Sequence, residues 1–186
     1  MFLTYGDKEH TVGNYIADFI RNRDLVLFSD KIVQGVKLHR HIDHFTDTHP
    51  VVLNSTRKLR ARHQKYAPVV IDVFYDYILA QNWERFSNTA MRDFADEIYV
   101  HLNEYSHLFP MHLQSISSRM IADDFLLQYG QKDGIIKTFR RIGRRAKFES
   151  NFDTAFEDLE KDYEEINAGF LEFFPELIEE VERFGF

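Results

Sequence analysis

Apolar residues recur every three or four positions along most of this chain, the spacing of one face of an α-helix, and they divide it into a succession of amphipathic segments. Residues 11–22 (TVGNYIADFIRN) predict a short helix with Ile16, Phe19 and Ile20 on its apolar stripe and Asp18 turned elsewhere. A second helix is expected over 30–48, with Asp30 as N-cap, Leu38, Ile42 and Phe45 toward the core, and Pro50 as its stop. A third covers 50–65, and Pro68 opens a fourth over 69–82 whose apolar and aromatic residues nearly encircle it, as in a buried element. Phe94, Ile98 and Leu102 predict a fifth over 87–108, ended by Pro110. Residues 116–129 come next, closed by Gly130, and Asp133 begins a helix carrying Ile135, Ile136, Phe139 and Ile142. A long helix over 151–174 should break at Pro175 and resume as a short terminal one.

Composition agrees with an all-α, multi-helix bundle in one domain: 186 residues carry only four prolines and eight glycines, too few for a sheet with many turns. Eighteen Phe and nine Tyr suit a core of aromatic helix faces. The absence of cysteine excludes disulfides, thiolate metal sites and a cysteine nucleophile, and it agrees with a reducing cytoplasm. No apolar run approaches the roughly 20 residues that span a bilayer, and the opening Met1-Phe2-Leu3-Thr4 lacks the regions of a signal peptide, so a cytoplasmic, non-membrane protein is expected. A net charge of −7 argues against general affinity for nucleic acid.

The candidate chemistry lies in KLHRHIDHFTD, residues 37–47. His39, Asp43 and Asp47 fall at i, i+4 and i+8, and same-face residues one turn apart have Cβ atoms only about 5–6 Å from each other, close enough to share one divalent ion. Arg40 and His44 occupy the adjoining stripe, where they could meet a phosphate oxygen. The plainer reading is a polar face with His–Asp hydrogen bonds. Asp72 and Asp76 form a second i, i+4 acidic pair inside an apolar helix, a place carboxylates occupy when paired or holding a cation. Salt bridges to Arg57, Arg60 or Arg62 are the structural alternative. Asp18 is a further carboxylate in an apolar segment, just after Gly13 and Asn14. Carboxylates and imidazole without thiolates suit Mn²⁺ or Mg²⁺ ahead of Fe²⁺ or Zn²⁺, and hydrolysis of a phosphoester is the chemistry such an ion supports.

Three blocks, GNYIADFI (13–20), GVKLHRHIDHFTD (35–47) and IDVFYDYILAQNW (71–83), resemble the signature segments of the acyl carrier protein phosphodiesterase family, and SRMIADDFLLQYG and GIIKTFRRIGRR continue the resemblance toward the C-terminus. The resemblance implies an all-α fold distantly related to HD-type phosphohydrolases. It implies hydrolysis of the phosphodiester between 4′-phosphopantetheine and a serine of holo acyl carrier protein, supported by Mn²⁺. Carried over residue by residue, Asp18 matches the first block, His39, Arg40 and Asp43 the second, Asp47 the T-D that comes after it, and Asp72 and Asp76 the third. Asp18, His39, Asp43 and one or both of Asp72 and Asp76 would then hold the ion, Arg40 would steady developing charge, and His44 or Asp47 would supply a proton. Two departures stand out. Relatives commonly open with a Met-Asn-Phe-Leu-Ala-His-like stretch whose histidine is a candidate ligand, whereas this chain opens MFLTYGDKEHTVGN, is expected to start several residues late, and has no equivalent in His10. Tyr77 stands where many relatives carry histidine.

Carrier proteins of this kind are strongly acidic, which gives a meaning to KTFRRIGRRAK, residues 137–147. Lys137, Arg140, Arg141, Arg144, Arg145 and Lys147 repel one another along a helix and are expected to dock the carrier by electrostatic steering. The alternative is pairing with the acidic EDLEKDYEE segment of the C-terminal helix. Two other functions fit the same residues: an HD-like hydrolase of a small phosphoester such as a nucleotide, and a non-catalytic helical partner protein.

Overall fold

The computed structural model describes residues 1–185, and every regular element among them is helical. Ten α-helices occur in order: α1 Lys8–Ile16, α2 Asp30–Thr48, α3 Pro50–His63, α4 Ala67–Gln81, α5 Trp83–Phe86, α6 Met91–Glu104, α7 Met111–Ala122, α8 Phe125–Gln128, α9 Lys132–Gly143 and α10 Ala155–Phe184. None is long and apolar enough to cross a membrane. Spatially the chain resolves into two compact units, one from Met1–Phe45, Arg92–Asp124 and Leu177–Phe186, the other from Thr46–Met91 and Phe125–Glu176.

In the first unit, α1 and α2 lie backbone to backbone. A Cβ on Gly13 would fall 2.0 Å from the Ile32 carbonyl oxygen, and one on Gly35 would fall 2.2 Å from that of His10. Only glycine permits this approach. Polar ties fasten the same crossing, from Lys31 Nζ to Asp7 Oδ2 at 2.8 Å, Ser29 Oγ to Glu9 Oε1 at 3.1 Å, and His10 Nε2 to Gln34 Oε1 at 3.0 Å. Val12, Ile16, Ile32, Val36 and Leu38 close the interior with Ile98, Leu102 and Leu113.

The second unit is built on aromatic rings. Phe139 meets Phe74 edge-on at 5.6 Å and stacks with Phe152 at 6.0 Å. Tyr75 packs between Phe170 and Phe173, and Phe170 stacks on Phe174 at 4.9 Å. The expected aromatic core is thus present, concentrated on α4, α9 and α10.

Several boundaries differ from expectation for identifiable reasons. The first helix begins at Lys8, not residue 11, because the Asp7 carboxylate accepts from the Glu9 and His10 amides at 3.0 and 3.1 Å. It stops at Ile16, leaving Asp18 in a 3-10 turn, Ala17–Phe19. At the next start, Ser29 accepts from the Ile32 amide at 3.3 Å, so Asp30 lies inside the helix and is not its cap. Leu38 is fully buried, whereas Ile42 and Phe45 are half-buried. The helix expected over 87–108 is shorter at both ends: Ser87 Oγ accepts from the Thr89 amide at 3.1 Å and α6 begins only at Met91, and it stops at Glu104 ahead of a 3-10 turn, Ser106–Leu108. Asp124 takes a left-handed φ of 54° and splits the expected 116–129 helix into α7 and α8. Its carboxylate is clamped by Tyr99 at 2.8 Å and by Arg92. Pro175 does not break the last helix; the irregular residue is Asp162, at φ −109° and ψ 16°. Finally, α4 is not encircled by neighbours, because Asp72 and Asp76 lie on its exposed side.

Candidate functional site

The glycine-mediated crossing of α1 and α2 sets where the residues just beyond it fall. Asp18 comes five residues after Gly13, and His39 stands one turn beyond Gly35. Their side chains meet: His39 Nε2 lies 3.2 Å from Asp18 Oδ1. Asp43, a further turn along α2, places Oδ2 3.2 Å from the same nitrogen. One ring nitrogen therefore faces two carboxylates drawn from separate elements. His39 is largely enclosed, with 20% of its side chain exposed, whereas Asp18 and Asp43 open to solvent at 72% and 54%.

The electrostatics arise from this convergence. Burial by itself would lower the His39 pKa, but hydrogen bonds and charge from Asp18 and Asp43 outweigh it and hold the imidazolium up to about 9. Asp18 is correspondingly lowered, chiefly by its hydrogen bond to His39 against an opposing effect of burial. In the metal-free chain a proton on Nε2 satisfies both carboxylates. A divalent cation would satisfy the same donors, since one ligand atom from each of Asp18, His39 and Asp43 lies within 4.8 Å of the others. Among the described residues this is the group of three such side chains with that spacing. Two carboxylates and one imidazole fit a hard or borderline divalent ion.

Arg40, half-buried beside His39, donates from Nη1 to Asn22 Oδ1 at 2.6 Å, which fixes the guanidinium while leaving other N–H groups to face an anion. Asn22 has no place among the sequence-based candidates, and nothing in its local pattern marks it. His44 and Asp47 are both exposed, and Asp47 does not join the Asp18–His39–Asp43 group.

Asp72 and Asp76 belong to the second unit. Asp76 keeps exposed surface, yet protein crowds it closely enough that desolvation, with repulsion from Asp72, lifts its pKa to about 7. Tyr129 is raised by burial and then by the Asp76 charge, with Arg141 opposing. Two of the arginines that could have paired with these acids are engaged elsewhere: Arg57 donates to Asn54, and Arg62 to Asp158 at 2.6 Å and Thr154 at 3.0 Å. The same Asp158 accepts from the buried His63 at 2.7 Å. This Arg62–His63–Asp158 cluster is invisible to local sequence patterns, because His63 and Asp158 are 95 residues apart.

The basic segment is equally clear. Lys137, Arg140, Arg141, Arg144, Arg145 and Lys147 are exposed, and among the described residues none forms an ion pair with the acidic stretch of α10. That stretch pairs with Lys58, Arg62 and Lys132 instead. Arg140 and Arg144 line a recess of about 340 Å³ with Gly143, Ser150, Phe152 and Asp153.

Known proteins point the same way. The curated protein named acyl carrier protein phosphodiesterase from Photorhabdus laumondii is 26% identical over 176 residues, covering 94% of this chain and 89% of its own. Its namesake from Yersinia enterocolitica is 25% identical over 92% of this chain and 89% of its own, and one from Escherichia coli is 25% identical over the same shares. No solved structure matches. The family model for acyl carrier protein phosphodiesterase matches residues 1–177, which include each element that brings Asp18, His39 and Asp43 together, and the chain belongs to that family.

Proposed function

We propose that this protein is a phosphodiester hydrolase that releases 4′-phosphopantetheine from the serine of holo acyl carrier protein, leaving the apo carrier. The observation that carries this reading is the convergence of Asp18 and Asp43 on His39 Nε2 at 3.2 Å, formed by two of the three blocks that resemble the family's signature segments, inside the matched residues 1–177. When bound there, Mn²⁺ or Mg²⁺ would supply Lewis acidity and acidify a water molecule. Asp18, His39 and Asp43 would hold that ion. Arg40, braced by Asn22, directs its free N–H groups at a phosphoryl oxygen and favours the charge that builds up there. His44 or Asp47, both open to solvent on the same helix, passes a proton to the departing serine oxygen. Asp72 and Asp76 are assigned to the same reaction on the strength of the third family block. Lys137, Arg140, Arg141, Arg144 and Arg145, all exposed, steer the acidic carrier toward the enzyme.

The test is turnover of purified holo carrier, with released phosphopantetheine measured by mass. The expected result is Mn²⁺-stimulated release that chelation abolishes and that Asp43→Ala loses. Full Mn²⁺-stimulated release by Asp43→Ala would overturn the site.

A further inference from the structure

The segment between Asp18 and α2 contains LVLF, residues 25–28, at the end of a 3-10 stretch, Asn22–Leu27. Its apolar side chains do not all turn inward. Val26 is 85% exposed and Leu27 73%. The segment is nevertheless tied down: the Asp24 amide donates to the Arg21 carbonyl at 2.9 Å, the Arg21 amide to Asp24 Oδ2 at 3.1 Å, and the Phe28 amide to the Leu25 carbonyl at 3.2 Å. A held turn that aims two adjacent aliphatic side chains at water displays them.

Its position connects it to the candidate site. Asn22, the first residue of the stretch, accepts the hydrogen bond from Arg40, the neighbour of His39. A 3-10 helix rises about 2 Å per residue, so Leu27 lies on the order of 10 Å along the chain from that anchor. Phe19, directly after Asp18, is partly exposed, and its ring sits 6.2 Å from that of His112, whose neighbour Met111 is 86% exposed. Exposed apolar side chains thus follow Asp18 at once, in Phe19, and again at Val26 and Leu27. The connection itself is rich in cations: from Arg21 to Arg40 there are five basic residues (Arg21, Arg23, Lys31, Lys37, Arg40) against Asp24 and Asp30, in a chain whose net charge is −7, although Lys31 pairs with Asp7 and Arg23 lies 3.7 Å from Asp24.

The substrate decides what covers such a rim. The bond to be cut joins phosphorus to a serine oxygen on the carrier itself, not to a group at the far end of a long arm. The carrier's surface must therefore come down around the site, onto whatever residues flank Asp18. An acidic carrier complements the basic side chains of this connection, and its approach to the site covers the exposed aliphatic residues between them.

We infer that Val26 and Leu27, with Phe19 and Met111, form the apolar seat on which the acyl carrier protein docks, bordered by Arg21 and Arg23. This inference rests on the proposed hydrolysis of holo carrier. It divides the labour of recognition: exposed basic side chains accelerate encounter, and the apolar seat sets how long the complex lasts.

The test is the double variant Val26→Ser/Leu27→Ser in the full chain. KM for holo carrier should rise roughly tenfold or more, with kcat nearly unchanged. The ratio of carrier turnover to turnover of bis(p-nitrophenyl) phosphate should fall by the same factor. The affinity for apo carrier, read by fluorescence anisotropy, should weaken equally. High salt should not erase the difference, since the lost contact is apolar. A wild-type chain that binds apo carrier through these residues yet releases no phosphopantetheine would sink the hydrolytic reading and leave the seat standing. Unchanged KM and unchanged apo-carrier affinity would overturn the seat. So would a wild-type dimer, seen by sedimentation, that the variant converts to monomer, since a second copy would then be the occupant.

Discussion

Gly35→Ala isolates the link between packing and chemistry, because the added methyl group meets only backbone. Its carbon would sit 2.2 Å from the His10 carbonyl oxygen and 2.9 Å from the His10 carbonyl carbon and Cα. No side chain can rotate away, so α1 and α2 must part by roughly 1 Å to restore ordinary contact. Two energies compete. Replacing glycine by alanine inside a helix is worth up to about 1 kcal/mol in favour of the variant, while overpacking a filled interface costs about 1–3 kcal/mol. The net loss should be about 1–2 kcal/mol, a few degrees in Tm for a chain of this length. The effect on the site should be much larger. Asp18 depends on α1 for its position and His39 on α2, and their contact is 3.2 Å. A displacement of about 1 Å breaks it, and misplacement on that scale costs about 10²-fold in rate. Denaturant unfolding, Mn²⁺ titration and phosphopantetheine release together read the outcome: a modest stability change with affinity and turnover both strongly reduced. Gly143→Ala is the control, since its added carbon would lie 3.5 Å from Phe152, in ordinary contact, and metal binding should not change. Wild-type Mn²⁺ affinity and turnover in Gly35→Ala would refute the idea that this crossing sets the site.

Four other outcomes are expected of the same structure. Because the metal-free His39 holds its proton up to about 9, well above its ordinary value, an entering ion must displace that proton. Mn²⁺ affinity should rise about tenfold per pH unit between roughly 7 and 9, with one proton released, as calorimetry in buffers of different ionisation enthalpy would detect; binding without proton release would contradict the arrangement. The same raised pKa stabilises the metal-free fold fully below about 6.5, the unfolded value, and that contribution should vanish as pH rises through about 9. Asp158→Ala strands the buried His63 and one face of Arg62, and should cost about 3 kcal/mol or more in urea unfolding; a loss under about 1 kcal/mol would show that the pair is dispensable. Arg141→Glu with Arg144→Glu should raise KM for holo carrier at low salt and much less at high salt, and equal loss on a small phosphodiester would exclude a role in steering.

The periodicity of the sequence locates the helices with strong apolar spacing but not the places where local hydrogen bonds override it. The second helix has its expected span, although Ser29 rather than Asp30 caps it, because Pro50 and the polar residues near 29–30 act locally. The run over 116–129 does not, because its break depends on Asp124 being held in a left-handed conformation by Tyr99 and Arg92, residues 25 and 32 positions away. Pro175 predicts a break because proline removes one backbone donor, yet Phe173, Phe174, Leu177 and Val181 on either side are buried, and this packing keeps the chain helical through Pro175, the kink falling at Asp162 instead. Tertiary contacts decide each of these cases, and a window of neighbouring residues does not contain them.

The candidate site divides along the same line. His39 and Asp43 are legible as a pair because i, i+4 spacing on one helix is itself a distance. Asp18 is legible only through the family blocks, since nothing in TVGNYIADFIRN says which helix it meets. What closes that gap is the glycine pair: Gly13 and Gly35 admit a backbone contact that no other residues would, and so convert two separate motifs into one cluster. Asn22 and the exposed Val26 and Leu27 lie in the segment that joins those motifs, where periodicity is weakest. The proposed roles rest on the hydrogen bond from Arg40 to Asn22 and, for Val26 and Leu27, on the proposed protein substrate. On the proposed reading, the ends of the two helices and the turn after the first supply the side chains for the chemistry, and the irregular connection between them supplies the surface that reads a macromolecular substrate.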